Sequence, residues 1–412
     1  MRSRKLTALL MTTVLCATSL FGCGGSEDET TTKAGENSTE VKPEDQEKTL
    51  TLKVWGNEDM TDASEGDWLK TMCEKFATEH PKWNITWEYG TVSEANAYTE
   101  ASKDPKKAAD VFFYANDQVK SLVEANCLSQ FGTAASQYVK DTNSAAIVDS
   151  VTYNGGVYGI PFTTNLWFMY YDKSVYSAED VKSLEKMMEK GTVGFDYHDA
   201  WYIESFFLAT GCSFSETKYD FEGAKAEEAL QYLVDAVASK KLVYNKGVGG
   251  LGDTVDVATS GSWGYDEAKK LLGDNLGICA LPKINVKNGD GQLRCFSGSK
   301  AVGVNPNSAD QYVAVELAKF LTNEYAQETL YEATGTIPCN TALLQQDKYK
   351  NDEIAIAANT VFDNTSILQP GWIAGWWGPA GELGNAVTGG TIGNVAEKVA
   401  EFNKALNDSL AK

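Results

Sequence analysis

The chain reads as an α/β protein, and three observations say so. An alternating, β-rich run from Thr49 to Trp55 is followed by apolar residues at helical spacing (Trp68, Leu69, Met72, Phe76, Ala77), then by a second alternating run from Trp83 to Tyr89. A short apolar run, Ala109 to Tyr114, suits a buried strand and leads into a helical pattern over 119–125. The length of 412 residues, with 43% hydrophobic and 11% aromatic content, is two domains' worth and ample for a large core.

Taken in order, Gly56-Asn57 breaks the first strand, Pro81 ends the first helix, and Asn126-Cys127-Leu128 turns the chain after the second. Strand, helix, strand, strand, helix is an α/β unit whose sheet is of parallel type with helices on its faces. Tyr153-Asn154-Gly155-Gly156-Val157 is a hairpin signal, and a long extended segment runs from Phe162 to Tyr171. Helical patterns recur over 181–190, 201–210, 224–239, 312–322 and 395–410, without a short solenoid repeat. Trp55, Trp68, Trp83 and Trp87 fall at core positions of these strands and helices.

The formal net charge of −21 argues against nucleic-acid binding and against adhesion to anionic lipid through a basic face, since no Lys/Arg cluster is present. Two histidines, His80 and His198, exclude a multi-His metal site and disfavour a His-dependent triad. No CxxC occurs, so neither a metal nor another cofactor is expected.

Residues 1–22 form a signal peptide: Arg2, Arg4 and Lys5 precede an apolar run, Leu6 to Leu20, that is short for a membrane span. Leu20-Phe21-Gly22-Cys23 looks like a lipobox, the site at which bacteria cleave and acylate a cysteine. Acyl chains on Cys23 would anchor the protein at the outer face of a bacterial membrane, in a Gram-positive setting. Residues 23–48 are polar and acidic and cannot bury a core, so they read as a tether, with the folded body starting near Thr49. In that body Cys279 and Cys295 flank Asn288-Gly289-Asp290-Gly291. A disulfide across a hairpin and scattered buried thiols are both open readings.

Several short motifs now fall in a telling order. They are Leu52-Lys53-Val54-Trp55, Asp110-Val111-Phe112-Phe113, Tyr158-Gly159-Ile160-Pro161 and Tyr171-Asp172-Lys173, followed by Gly261-Ser262-Trp263-Gly264, Ala301-Val302-Gly303-Val304-Asn305 and Trp376-Trp377. This order resembles the extracellular solute-binding proteins of ABC sugar importers, the maltose/maltodextrin-binding group in particular, over nearly all of 49–412. The resemblance implies a periplasmic-binding-protein type II fold: two α/β lobes joined by hinge strands around a ligand cleft. Lobe one would be 49–164 plus 299–339 and lobe two 165–298 plus 340–412, with crossings near 163–166, 297–300 and 337–340. It implies an oligosaccharide ligand, a membrane ABC permease as partner, a monomer, and no catalysis.

A sugar offers apolar C–H faces and a rim of hydroxyls, so its site needs flat aromatic rings and side chains that pair hydroxyls. By position in the family, Asn57, Glu58, Asp59, Asp110, Tyr114 and Asp117 would face the cleft from lobe one, and Trp201, Trp263 and Trp376 would supply platforms from lobe two. Asn165 lies at the hinge where maltose-binding relatives carry a carboxylate, and Gln118 replaces a basic residue. Independently of the family, Trp263 sits in a glycine-rich turn with little core to join. Trp372, Trp376 and Trp377 lie among Gly371, Gly375 and Gly378. Of the last pair, Trp376 is favoured by its spacing to Gly389-Gly390, with Trp377 close behind. Asp110 reads equally as a structural carboxylate and as a ligand contact. Two rival classes remain: a binding lipoprotein for another sugar or small solute, and a surface glycoside hydrolase, which needs a pair of carboxylates across a cleft.

Overall fold

The computed structural model describes residues 43–215, 217–370 and 373–410. The signal peptide, Cys23, the tether as far as Lys42, and Gly371 and Trp372 lie outside the described residues. Pro43–Asp45 forms one turn of 3-10 helix before the first strand.

The strands of the two large sheets are, in chain order, β1 (Lys48–Gly56), β2 (Trp83–Thr91), β3 (Val111–Ala115), β4 (Ile160–Asn165), β5 (Phe168–Asp172), β6 (Val193–Phe195), β7 (Leu242–Tyr244), β8 (Val257–Ser260), β9 (Leu276–Cys279), β10 (Cys295–Val304) and β11 (Ser366–Leu368). One sheet has the order β11-β10-β3-β1-β2, with β4 also on β10; the other has the order β7-β6-β8-β5-β9. The N-terminal sheet is parallel where β1 meets β2 and β3, as the α/β pattern predicts, but antiparallel where β10 meets β3 and β4. Every residue of β3 is buried, the condition under which a strand reads as an unbroken apolar run.

The buried apolar side chains fall into two clusters. One holds residues from Leu52 to Phe162 and from Ala301 to Leu330; the other holds Leu166 to Phe296 and Ile337 to Leu406. The chain therefore passes between cores three times, and the three passages touch. Asn165 pairs with Gly298 and Thr163 with Lys300, while the Thr163 hydroxyl donates to the carbonyl of Ile337 (2.6 Å). The β4–β10 register slips at Phe162, which stands opposite the step from Lys300 to Ala301. Its neighbour Pro161 has no N–H to give the ladder, a usual setting for a bulge.

The long extended segment from Phe162 to Tyr171 is two strands, broken at Leu166-Trp167 where the chain changes sheets. The helix expected over 181–190 is a 3-10 turn followed by Leu184–Lys190, because Ser183 leaves helical geometry and caps the second piece, accepting from the Lys186 N–H. Asn154 and Gly155 adopt positive φ (48° and 77°) and join two short antiparallel strands, as a tight hairpin requires. The chain also folds back near Asn288-Gly291, with the Ile284 N–H donating to the Gly291 carbonyl (2.7 Å). Yet Cys279 lies on β9 and Cys295 on β10, in different sheets, and both thiols are free. The buried-thiol reading holds, and the hairpin disulfide does not form.

Three helices bear on the packing of the two cores, and the last two border the site. Helix α1 (Trp68–Glu79) buries Trp68, Leu69, Met72, Cys73 and Phe76. Helix α2 (Ala200–Ala209) is buried along nearly its whole length between the second core and β10. Helix α3 (Trp377–Thr388) runs beside α2, although its glycines read as breakers. Of its three glycines Gly384 serves close packing: a Cβ there would lie 1.9 Å from the Tyr197 carbonyl oxygen, whereas one at Gly378 would meet nothing within 4 Å.

Candidate functional site

A cavity of about 540 Å³ opens between the two cores. The first core contributes Ser93, Glu94, Ala95, Ala115 and Asp117; the second contributes Asp199, Trp201, Tyr202, Trp263 and Trp377; Asn165 and Lys300 come from the connecting strands. A narrower recess adjoins it through Glu94, Trp263 and Lys300, and reaches Asn57 and Asp59.

Each aromatic is held for a local reason. Asp199 caps α2 by accepting from the Trp201 N–H (2.8 Å), which sets Trp201 in the first turn at the cavity edge. Trp377 opens α3, and its ring stacks on Trp201 with centroids 6.3 Å apart and planes 25° from parallel. Trp263 lies in a 3-10 turn fixed by Tyr170, whose hydroxyl donates to the Gly261 carbonyl (2.8 Å). The Trp263 ring folds over Gly261, where a Cβ would come within 2.1 Å of it, so only glycine leaves the ring that position. At 54% exposure Trp263 is among the most exposed large apolar side chains described. A ring so exposed is not part of either core.

The polar groups form a connected set. Asn57 caps the short helix Glu58–Thr61, accepting from the Met60 N–H, and donates its amide to Glu94 Oε1 (2.8 Å). Glu94 Oε2 faces Lys300 Nζ at 3.6 Å, and the Glu94 side chain is almost wholly buried. Gln118 ties the same loop down, donating to the Glu94 carbonyl and accepting from the Tyr98 N–H (2.7 Å each). Asp117 follows the end of β3, where burial pushes its carboxyl up to about 7. The other rim carboxylate, Asp199, is exposed.

Of the residues singled out in the sequence, Asp117, Asn165, Trp201, Trp263 and Trp377 line the main cavity, and Asn57 and Asp59 line the recess. Glu58 is exposed in the first turn after Asn57 and lines neither. Asp110 is structural: its Oδ2 accepts from the Lys53 N–H (2.7 Å) and its carbonyl from the Asn305 N–H (2.8 Å), tying β1, β3 and β10 together. Tyr114 is wholly buried in the first core, with its hydroxyl unpaired. Trp376 is also wholly buried and packs on Phe214, Phe221 and Phe402, with its indole N–H donating to the Ala200 carbonyl (2.8 Å). The spacing argument thus picked the wrong member of the pair: at a helix start one of two adjacent rings turns to the core, and here that ring is Trp376.

Glu94, Lys300, Asp199 and Tyr202 join the site without having been singled out. Lys300 lay inside a predicted crossing, which was a signal that its side chain stands between the lobes. Asp199 carries a capping signature before an apolar run. Glu94 has no local mark; it enters because the loop after β2 folds back on Gln118. Among the described residues no group of His, Cys, Asp and Glu could hold a metal ion, and no helix is long and apolar enough to cross a membrane.

Comparison with known proteins places this geometry. The pattern of the bacterial extracellular solute-binding proteins matches residues 71–357. A galactooligosaccharide-binding protein of Bacillus subtilis is 24% identical over 90% of this chain and 88% of its own length. A maltooligosaccharide ABC transporter solute-binding lipoprotein of Streptococcus pneumoniae is 24% identical over 93% of both chains. A structure solved with acarbose is 41% identical, covers 87% of this chain and 99% of its own, and superposes with a TM-score of 0.83. The two-core architecture is that of the type II periplasmic binding proteins. The chain belongs to the bacterial extracellular solute-binding protein family.

Proposed function

We propose that this protein is the substrate-binding component of an ABC importer and captures an oligosaccharide, maltose or a longer maltodextrin, between its two cores. The observation that carries the reading is the composition of the cavity. Trp201, Trp263 and Trp377 present flat apolar faces, while Glu94, Asp117, Asn165 and Asp199 present groups that pair hydroxyls. Lys300, the cation of the main cavity lining, is already matched by Glu94. Such a site suits a neutral polyhydroxylated ligand and offers nothing special to a phosphate or a metal ion. The maltooligosaccharide-binding and acarbose-bound relatives support the α-glucan; the galactooligosaccharide-binding relative makes a galactoside the alternative ligand.

The lobes are taken as 49–164 plus 299–339 and 165–298 plus 340–412, with Thr163, Gly298–Lys300 and Ile337 forming the hinge. Ligand stabilises the arrangement in which both lobes touch it, and that closed form docks on the permease. The lobes move as one chain, so a monomer suffices. Anchoring through acylated Cys23 at the outer membrane face, with 23–48 as tether, follows from the leader sequence and has a parallel in the pneumococcal lipoprotein.

The sugar is captured and not cleaved. A retaining or inverting hydrolase needs a free acid and a free base across the scissile bond. Asp117 is poised to carry a proton, but both oxygens of Glu94 are engaged, by Asn57 and Lys300, and Asp199 is held as the cap of α2 by the Trp201 N–H. Incubation with maltohexaose under conditions that give a thermal shift is expected to return the sugar intact; release of reducing ends would overturn the reading.

A further inference from the structure

A separate cavity, of about 370 Å³, lies on the opposite face of the strands that border the first. The chain sorts its side chains between the two by alternation. Ala115 and Asp117 line the main cavity, and Asn116 between them lines the other. Lys300 reaches the main cavity, while its neighbour Ser299 turns away and shares a hydrogen bond with Ser150, a lining residue of the other (2.6 Å). The two cavities have no lining residue in common.

Two amides meet this space. Asn116 follows β3, and Gln369 follows β11, fixed by its backbone N–H, which donates to the Ser297 carbonyl (2.8 Å). Both side chains are buried, at 1% and 2% exposure. Neither amide has a protein partner for its oxygen or its nitrogen, and among the described residues they are the two buried amides so left. Buried polar atoms are paired in the great majority of cases, because an unpaired one keeps its full cost of desolvation. Room is made for the Asn116 amide on β10: a Cβ at Gly298 would lie 2.2 Å from its oxygen.

These four atoms set the chemistry of an occupant. Two amides present two oxygens that accept and two nitrogens that donate. An anion would be repelled by the oxygens and a cation by the nitrogens. A hydroxyl both donates and accepts, so neighbouring hydroxyls of one molecule can answer all four atoms. The charged lining residues, Lys120 and Asp149, are of opposite sign and not buried, so they add no net preference for charge. Leu368 and Pro370 offer apolar surface to C–H groups. The volume is about two-thirds that of the main cavity, which calls for a small occupant.

We propose that this cavity is a second binding site, for one neutral polyol of monosaccharide size, held by Asn116 and Gln369 and independent of the cleft between the cores. The site does not rest on the oligosaccharide reading.

The test is isothermal titration of glucose, sorbitol and glycine into the wild-type protein, Asn116→Leu, Gln369→Leu and Trp263→Ala. At least one of the two polyols is expected to bind the wild type and Trp263→Ala alike, and to bind each amide variant about tenfold more weakly or not at all. Glycine, a zwitterion, is expected to give no saturable heat. Wild-type crystals soaked in the polyol that binds give a reading that depends on no variant's folding, with the ligand's hydroxyls expected on both amides. No binding of either polyol, polyol binding weakened in Trp263→Ala, polyol binding kept in both folded amide variants, glycine bound through the same amides, or ordered water alone between Asn116 and Gln369 in the soaked crystal overturns the site. Each of these outcomes leaves the oligosaccharide reading standing, since that reading is decided by longer sugars at Trp263.

Discussion

The ammonium of Lys300 lies 5.8 Å from the centroid of the Trp263 ring, so a residue of the strand that joins the two cores reaches the most exposed aromatic described in the second core. Behind it, Glu94 of the first core holds the same ammonium at 3.6 Å. One cation on the connecting strand thus touches an exposed ring and the opposite wall of the cavity.

Lys300→Met is therefore expected to lower stability by about 1–2 kcal/mol, chiefly because Glu94 is left buried without its cation. Adding Glu94→Gln should return much of that loss, since the amide carries no charge to desolvate. Urea unfolding of the two single variants and the double variant measures the coupling, and additive losses would contradict the pairing.

The tryptophans separate binding from stability. Trp263→Ala and Trp377→Ala should each weaken sugar binding by about 2 kcal/mol, roughly 30-fold, with little change in unfolding midpoint. Trp68→Ala and Trp376→Ala should do the reverse. Both rings are buried, and Trp68 donates its indole N–H to Thr329 (3.0 Å), so each truncation is expected to cost about 3–5 kcal/mol of stability. Calorimetric titration paired with denaturant melts checks both halves; loss of binding in a still-folded Trp376→Ala would reverse the assignment.

Tyr114 carries a hydroxyl that is buried without a partner. Tyr114→Phe removes a desolvated polar atom and keeps the ring, so it should leave sugar binding unchanged and raise stability by about 1 kcal/mol. A loss of affinity in this variant would return Tyr114 to the ligand site.

Asp117 gives the protein a pH signature. Its folded pKa, about 7, lies above the unfolded value near 3.9, so the folded state binds the proton more tightly. Stability then rises as pH falls from 8 through 7 toward 5, and the cost of the buried charge is fully present above the folded pKa. Asp196, pushed to about 6 by burial, contributes with the same sign at slightly lower pH. Asp117→Asn should flatten the part of the slope near pH 7 and raise stability at pH 8 by about 1–2 kcal/mol, a figure reduced for its partial contact with water. Melting temperatures across pH 5–8 give the comparison.

Much of this was legible in the chain. The runs Val111-Tyr114 and Ala301-Val304 mark strands of the first core because both faces are covered, and Leu52-Lys53-Val54 marks one by alternation. Where the buried clusters change along the chain, polar residues such as Thr163 and Ser299 interrupt apolar runs. Trp263 announced itself by sitting among glycines that no core could use. What stayed hidden depends on contacts distant in sequence. Trp376 and Trp377 are neighbours with identical side chains, and only the packing of Phe214, Phe221 and Phe402 decides which one turns inward. In helix α3, Gly384 answers to the backbone of Tyr197, 187 positions before it. Glu94 is held by Gln118, Asn57 and Lys300, all distant in sequence.

The most direct test is calorimetric titration of the purified protein with maltose, maltotetraose, a β-linked glucan, a galactooligosaccharide, a xylose oligomer and spermidine. Saturable one-to-one binding of the α-linked glucans, abolished or strongly weakened in Trp263→Ala, is the predicted result. Heat from spermidine alone, or sugar binding undiminished in Trp263→Ala, would contradict it.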